Sequence, residues 1–480
     1  MAIRFINVVC LMLGIAQFSS AAERLVVHEW GTFTSFQNEF GNRLRRINTD
    51  DEPVPPFVHR LSRIGLESPT GPYSVERFNS LTQGAPTADP RVTMRLETPV
   101  LYFHLPPGMK SVTLDVKVDF RNGFLTEFFP LADSTVNGKP VANYQFPEAA
   151  KPLGSLFWHR VRVGSTTGTM PDTTDHVWLA PRQVDAAPIT VGNESERFLF
   201  YRGVGDVASP VRVIRHPDQI LDLRLDSQAL QLLDVTAQKL SIWASLTVQR
   251  QLWLLDVRRD GTSAFRRLPA GESHGQTPDR LCMASARFRD QDFSKDNLVV
   301  LRTQMHQALV DQGLFADEAD GLLNTWELSY FQSPGQRLFY MVPQAWTDAV
   351  LPLKLSVNAD IVRVMVGRIE LVTPRQRELM QQIAETPVPD LTEVIGKMRA
   401  LQQDSSRREA YNALASGRGD SSILGVPVPS IYQAFLDLGR FRTSLLMDSL
   451  ERADLLDTHD LDRIRHLNFE LSDPGKLTRE

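Results

Sequence analysis

The sequence predicts an α+β protein with a β-sandwich-like N-terminal region, a mixed α/β middle region and an all-helical C-terminal region. Three patterns support this fold class. Short apolar runs and alternations fill residues 25–268, helical spacing enters after about residue 280, and only helical spacing follows residue 373. The chain has 480 residues, of which 42% are hydrophobic, so two or three domains with buried cores are expected.

Residues 1–22 have the features of a secretory signal peptide. Arg4 provides a positive start, residues 5–18 are largely apolar, and Ser20-Ala21-Ala22 is a small-residue cleavage site. We therefore expect cleavage near Ala22 and a periplasmic or secreted protein. No later segment has the ~18 consecutive apolar residues of a transmembrane helix, so no transmembrane segment is expected after cleavage.

Residues 23–280 are predicted to form the β-rich, sandwich-like domain. Residues 112–120 alternate between apolar and polar side chains, which is the period of a half-buried strand. Asp260-Gly261 lies between two apolar runs and is typical of a tight hairpin turn. Many short strands at this spacing favour two packed sheets. A proline-rich stretch near residues 40–90 interrupts the pattern and is predicted to be an insertion.

Residues 281–373 combine helical and strand patterns. Residues 298–310 and 317–326 have apolar side chains at helical spacing and are separated by Gly313, which predicts a helical hairpin. Apolar strand-like runs return after about residue 337, as in residues 361–366. The middle region is therefore expected to contain a helical hairpin plus strands.

Residues 374–480 are predicted to be entirely helical. Thr373, Pro374 and Gln376 form a capping-box sequence with proline at the first helical position. A second helix is expected from Asp390, and a third from Ser430 with one apolar stripe that extends to Leu445. These stripes would allow the region to pack on the sheets or on another protein.

Composition excludes some functions. The formal net charge is −5, and the most basic segment, Arg43 to Arg46, is short and followed by Asp50-Asp51-Glu52. This segment is typical of a solvated loop, so no nucleic-acid partner is expected. The sequence has no Gly-x-Ser-x-Gly, His-Glu-x-x-His, Cys-x-x-Cys or Walker motif. The cofactor, the substrate and the oligomeric state are therefore left open.

The segment His28-Glu29-Trp30-Gly31-Thr32 contains polar groups that need partners when buried. In a strand, His28 and Trp30 lie on one face and Glu29 on the other, so His28 and Glu29 converge only at a bulge or a strand end. Two interpretations remain open. The segment is a structural strand with Glu29 bonded to an arginine, or it is a ligand-binding or catalytic site.

Aromatic and charged residues recur together later in the chain. A zinc or copper site could form if the sheets bring histidines together, since neutral imidazole is a common ligand of both metals. The histidines considered are His28, His104, His159 and His176. Carboxylates on aromatic strands would also suit a carbohydrate cleft. Those considered are Glu29, Glu97, Glu127 and Glu196. Buried pairs with arginines such as Arg95, Arg197 and Arg202 would explain the same carboxylates without catalysis.

Four segments carry a family resemblance. They are Val27 to Thr34 (VHEWGTFT), Glu97 to Phe103 (ETPVLYF), Phe198 to Gly205 (FLFYRGVG) and the run from Leu338 to Asp348. Together they resemble a group of uncharacterised secreted bacterial proteins with an N-terminal HEWGTFT motif. The matching segments extend over residues 25–375. The resemblance implies secretion and assigns no catalytic role to any residue.

Two functional hypotheses follow. In the first, an exported protein binds a ligand such as a carbohydrate, or a cell-envelope component, on a concave aromatic surface. The residues expected to line that surface are Trp30, Tyr102, Trp158, Trp178, Tyr201 and Arg202. In the second, a secreted hydrolase, which could depend on a metal, uses His28 and Glu29 together with His104 or Glu97. The sequence leaves open whether the protein is an enzyme.

Overall fold

The computed structural model describes residues 24–47, 52–60, 92–140, 151–231, 233, 242, 244–246, 251–268, 279–386 and 389–452. Within these residues the fold is mixed α/β. It contains a sheet of sixteen strands, a separate sheet of three strands, and helices on the large sheet and at the C-terminal side. In the described residues no helix is both long and apolar enough to cross a membrane.

The strands are numbered in chain order and belong to two sheets. Those of the large sheet are β1 (Leu25–Gln37), β2 (His59–Arg60), β3 (Met94–His104), β4 (Val112–Arg121), β5 (Gly123–Phe129), β6 (Asp133–Val136), β7 (Lys139–Pro140), β8 (Leu153–Val163), β9 (Ile189–Val191), β10 (Glu194–Glu196), β11 (Leu199–Gly205), β14 (Leu252–Val257), β15 (Ser263–Arg267), β17 (Gly335–Val342), β18 (Leu353–Leu355) and β19 (Ala359–Leu371). Those of the small sheet are β12 (Val211–Arg215), β13 (Ile220–Leu225) and β16 (Arg280–Ser285).

The helices lie mainly in the second half of the chain. They are α1 (His176–Arg182), α2 (Ser227–Leu230), α3 (Asp296–Asp311), α4 (Ala316–Thr325), α5 (Gln344–Val350), α6 (Pro374–Glu385), α7 (Thr392–Gln403), α8 (Arg408–Ala415), α9 (Ser430–Asp437) and α10 (Arg442–Arg452). A π-helical turn spans Glu327–Gln332, and short 3₁₀ turns span Asp290–Asp292, Ser405–Arg407, Ser421–Leu424 and Gly439–Phe441.

Strand β1 lies at the centre of the large sheet. It pairs with β3 in antiparallel orientation and with β19 in parallel orientation, and nearly all of its residues are buried. Both faces of a central strand are covered, which explains why β1 is rich in β-branched and aromatic residues throughout. Because β17 and β19 belong to the same sheet, the strands of the middle region do not form a sheet of their own.

The predicted two-sheet sandwich is not confirmed. The N-terminal strands are hydrogen-bonded into one large sheet that also includes β17 to β19, with only the small three-stranded sheet apart from it. Local alternation predicts which residues are strands, but it does not determine which strands pair. One of the two partners of β1 is β19, which lies more than 300 residues later in the chain, and that pairing joins the two regions.

A bulge between β1 and β3 determines which side chains share a face. Pairing runs from Trp30 with Val100 to Thr32 with Glu97, so Gly31 lies opposite two residues. A β-carbon on Gly31 would lie 3.0 Å from the Cα of Pro99, which explains the glycine. The extra residue on β3 places Tyr102 and Glu97 on the same side of the sheet, although one has an even and the other an odd number.

Several local predictions are confirmed. The helical hairpin corresponds to α3 and α4, the turn at Asp260-Gly261 joins β14 and β15, and Thr373 caps α6 in a capping box. Among the described residues after 373, the regular elements are helices separated by short loops, which agrees with the predicted helical region. The stripe predicted from Ser430 is divided into α9 and α10, because Gly439 adopts a left-handed conformation (φ 52°).

Some predictions lie outside the described residues. These are the signal peptide in residues 1–22, most of the proline-rich insertion, and the end of the helical region after residue 452. Within the insertion, residues 40–47 and 52–60 are described. In the second of these segments Val54 and Val58 are buried in the core, and β2 pairs with β5. This part of the insertion is therefore packed on the sheet.

Candidate functional site

Two of the predicted metal-binding histidines lie side by side at one end of β1 and β3. His28 is on β1, and His104 is the last residue of β3. Both contact the carboxylate of Glu318 on α4. His28 Nδ1 lies 2.6 Å from Glu318 Oε2, and His104 Nε2 lies 2.9 Å from Glu318 Oε1. We call these three residues, His28, His104 and Glu318, the histidine cluster.

The position of Glu318 is determined by the start of α4. Its Oε2 accepts a hydrogen bond of 2.8 Å from the backbone N–H of Phe315, as in a capping box. The neighbouring Asp317 accepts hydrogen bonds from the backbone N–H of Glu318 and of Asp185. These contacts tie the first turn of α4 to the segment after α1, and they hold the Glu318 carboxylate against β1 and β3.

The histidine cluster lies close to the protein surface. His28 and Glu318 are buried, whereas 15% of the His104 side chain is exposed. The ring of Phe315 lies 4.7 Å from the His28 ring and 4.8 Å from the His104 ring, centroid to centroid, and Phe315 itself is 48% exposed. One partly exposed aromatic ring therefore packs against both imidazoles of the cluster.

The electrostatics of the cluster favour an ionised carboxylate. Burial alone would raise the pKa of Glu318, but hydrogen bonds from His104 and His28 outweigh burial and lower that pKa. Within the described chain, the groups bonded to this carboxylate are the two imidazoles and the Phe315 N–H. Lysine and arginine are absent from that set, so the carboxylate has no permanent cation as its partner.

The arrangement is that of a metal-binding group. One ligand atom from each of the three side chains lies within 4.8 Å of the other two. Among the described residues, it is the one set of three histidine, cysteine or acidic side chains that meets this spacing. Two imidazole nitrogens and a carboxylate oxygen form a ligand set that zinc uses in proteins.

The other two histidines of the predicted metal site lie elsewhere. His159 is on β8, half exposed, and its Nε2 lies 3.0 Å from Asp133 Oδ2. His176 is the first residue of α1, and burial lowers its pKa. Neither belongs to the histidine cluster. The sequence therefore identified two of the three cluster residues, and it did not identify Glu318.

Glu29, predicted to act with His28, lies on the opposite face of β1. It accepts a hydrogen bond of 2.5 Å from Arg363 Nε and another from the Tyr201 hydroxyl. Burial and the nearby Glu29 carboxylate raise the pKa of Tyr201 well above its usual value. No bulge turns Glu29 toward His28, because the irregularity at Gly31 lies on β3. The structural interpretation of Glu29 therefore matches its contacts.

Glu97, the other predicted catalytic acid, lies on the face of the sheet that carries His28, further along β1. It lies opposite Thr32, four residues after His28 on β1 or ~13 Å along the strand, and its Oε2 accepts a 2.7 Å hydrogen bond from Thr34 Oγ1. It forms ion pairs with Arg95 and Arg368. A second carboxylate, Glu370, pairs with Arg368, Arg337 and Arg440. We call this group the arginine cluster; its members are Glu97, Glu370, Arg95, Arg337, Arg368 and Arg440.

The residues predicted to line a concave binding surface are buried instead. All six are at most 1% exposed: Trp30, Tyr102, Trp158, Trp178, Tyr201 and Arg202. Several of their polar atoms have internal partners; for example, the Tyr102 hydroxyl donates to Pro181 O, and Trp158 Nε1 donates to Pro130 O. Strand alternation predicts which face of a strand a side chain lies on, but it does not predict whether that face is exposed. In this sheet other elements cover both faces.

The arginine-pair interpretation of the carboxylates also matches the contacts. Besides Glu29 and Glu97, Glu196 accepts hydrogen bonds from Arg182 and Trp178, and Glu127 pairs with Arg60.

Comparison with the models of known protein families gives no match, and comparison with curated proteins gives none either. The functional argument therefore depends on the geometry of this chain.

Proposed function

We propose that the protein binds a divalent transition-metal ion, with zinc as the best fit, at His28, His104 and Glu318. The observation that supports this function is the convergence of two imidazoles and one carboxylate from three distant elements, with ligand atoms within 4.8 Å of one another. The predicted leader adds that the protein works outside the cytoplasm, in the periplasm or as a secreted protein.

The chemistry of the three donors favours zinc over calcium or magnesium. Calcium and magnesium prefer oxygen ligands, whereas zinc, copper and nickel bind imidazole well. Zinc also accepts a mixed set of histidine and glutamate without a strong geometric preference. Since no lysine or arginine among the described residues contacts Glu318, a metal would replace only its hydrogen bonds with the imidazoles and Phe315.

The test is zinc affinity measured by isothermal titration calorimetry on the full chain, with three variants. His28→Ala and Glu318→Gln each remove one ligand, and we expect the dissociation constant to rise about 100-fold or more in both. His159→Ala is the matched control, because His159 also contacts a carboxylate but lies outside the histidine cluster. It should leave the affinity unchanged.

The proposal fails if the wild-type chain binds no zinc, or if Glu318→Gln binds zinc as tightly as the wild type. Circular dichroism and thermal unfolding of each variant without metal show whether it is folded. If His28→Ala does not fold, Glu318→Gln still decides the matter, because it keeps the shape of the side chain and removes only its charge.

A metal-dependent hydrolase is the second candidate function. Three protein ligands would leave a fourth zinc position for water or substrate, which is the usual arrangement of catalytic rather than structural zinc sites. Glu29 and Glu97 do not contribute to this site, because Glu29 lies on the other face of β1 and Glu97 lies opposite Thr32, four residues or ~13 Å along the strand from His28.

The assay for this second function is hydrolysis of chromogenic ester, phosphoester and glycoside substrates by the zinc-loaded chain. An enzyme should lose activity with a chelator and in Glu318→Gln, while His159→Ala stays active. Zinc binding without turnover of any of these substrates would contradict the hydrolase and support a binding role.

A further inference from the structure

A pocket of about 550 Å³ shares no residue with the histidine cluster and is assembled from five segments of the chain. Its lining includes the loop after β1, the residue before β3, the loop after β11, strands β12 and β13 with α2, and the residue before β16. The volume lies within the range of small-molecule sites in proteins. We call it the loop pocket.

Four arginines line the loop pocket, and two of them already have carboxylate partners within the protein. They are Arg43, Arg45, Arg212 and Arg224. Arg43 donates to Asp206 Oδ1 (2.9 Å) and to Gln228 Oε1 (3.1 Å). Arg224 donates to Asp222 and lies 3.7 Å from Asp279. These two arginines form the walls of the pocket and have carboxylate partners.

The other two arginines have unused donors. Arg45 is exposed and has no hydrogen bond or ion pair to any described residue, and Arg212 uses only one terminal nitrogen, Nη2, for hydrogen bonds to Phe40 O and Asn42 Oδ1. Guanidinium groups with free N–H donors bind carboxylates and phosphates well. These two side chains therefore provide a positive, hydrogen-bonding part of the pocket.

The remaining lining suits neutral polar groups. Asp206 Oδ1 accepts hydrogen bonds from Arg43 and Thr93, which leaves Asp206 Oδ2 as an acceptor; Ser227 carries a hydroxyl, and Leu230 and Ile214 add apolar surface. Carboxylate and hydroxyl oxygens accept hydrogen bonds from ligand hydroxyls, while apolar side chains pack against C–H faces. The ligand indicated by this lining has hydroxyl groups as well as a negative charge.

Gly41 leaves the space that the Arg212 side chain occupies. Gly41 has φ 71°, and a β-carbon on it would lie 2.8 Å from Arg212 Cγ and 2.9 Å from Arg212 Nε. Any other residue at position 41 would therefore both strain the backbone and displace the Arg212 side chain. Glycine at position 41 therefore allows Arg212 to pack against the loop after β1.

We propose that the loop pocket binds a small sugar-like molecule that carries one oxyanion group, a phosphate or a carboxylate. Arg45 and Arg212 bind the oxyanion, and Asp206 Oδ2 and the Ser227 hydroxyl bind ligand hydroxyls. This site is independent of the proposed metal site, since the two share no residue.

The test compares three probes on the full chain by isothermal titration calorimetry at constant ionic strength. The probes are glucose 6-phosphate, glucuronate and glucose, which differ in the oxyanion and share the sugar ring. We expect at least one acidic sugar to bind more tightly than glucose by tenfold or more. The two acidic probes then show whether the pocket prefers phosphate or carboxylate.

A double variant and a control locate the binding. Arg45→Gln combined with Arg212→Gln should weaken binding of the acidic sugar at least tenfold, and Arg289→Gln, an exposed arginine outside the pocket, should not change it. His28→Ala should also retain the binding, which separates this site from the metal site. If neither acidic sugar binds more tightly than glucose, or if the double variant binds as well as wild type, the proposal is wrong.

Discussion

The two ends of strand β1 carry buried charge in different ways, although both lie on the same face of the sheet. At one end, the single carboxylate of Glu318 contacts two imidazoles. At the other, Glu97 and Glu370 contact four arginines. Imidazoles can lose their proton and bind a metal, whereas an arginine stays protonated. The histidine cluster can therefore exchange its hydrogen bonds for a metal ion, whereas the arginine cluster is structural.

The arginine cluster is completed by backbone carbonyls of the π-helical turn. Arg337 donates to Ser329 O (2.6 Å), Tyr330 O (2.8 Å) and Ser333 O. The cluster therefore connects the sheet, through β17 and β19, to the π-helical turn and to Arg440 between α9 and α10. Its function is to fix the position of these elements, because a buried cation that loses its partner is strongly destabilising.

The largest expected effect comes from breaking the arginine cluster. Glu370→Gln removes the carboxylate that contacts Arg337, Arg368 and Arg440, and we expect the free energy of unfolding to fall by ~3–5 kcal/mol. Chemical denaturation measures this value. The matched control is Glu39→Gln, which removes a carboxylate from a partly exposed pair with Arg377 and should cost no more than ~1 kcal/mol. Equal effects of the two substitutions would contradict a structural role of the cluster.

A smaller effect is expected in the pH dependence of stability. Burial would raise the pKa of Glu370, but the charges of Arg337, Arg440 and Arg368 outweigh it and hold the pKa below the ordinary value of 4.5. A carboxylate with a lowered pKa adds stability above its unfolded-state pKa, and this contribution is lost as the pH falls.

The stability difference between the wild type and Glu370→Gln should therefore be constant near neutral pH and shrink as the pH drops below ~4.5. Urea denaturation of both chains between neutral and acidic pH measures it. A difference that grows on acidification would contradict the ionised Glu370 on which the comparison depends.

The sequence predicted what depends on local pattern. Alternation identified β4, the Asp260-Gly261 dipeptide identified a hairpin, and Thr373-Pro374 identified the start of α6. The period of a strand also predicted that His28 and Glu29 lie on opposite faces, and the structure agrees. These features follow from residues within one element, so neighbouring residues are enough to predict them.

The features that depend on distant pairing could not be predicted. Glu318 joins His28 across 290 residues, and its one local signal is an acidic residue in the first turn of a helix, which many caps share. Likewise, the sequence around Trp158 and Tyr201 suggests a binding surface, because the elements that bury these two side chains come from other parts of the chain. Burial on both faces of a central sheet removes the distinction between a core residue and a surface residue.

The most direct test of the metal site is anomalous diffraction at the zinc absorption edge from crystals of the zinc-loaded full chain. We predict one peak ~2.0–2.2 Å from a ring nitrogen of His28, a ring nitrogen of His104 and a carboxylate oxygen of Glu318. Zinc bound elsewhere, for instance between His159 and Asp133, with no peak at the histidine cluster, would contradict the proposed metal site.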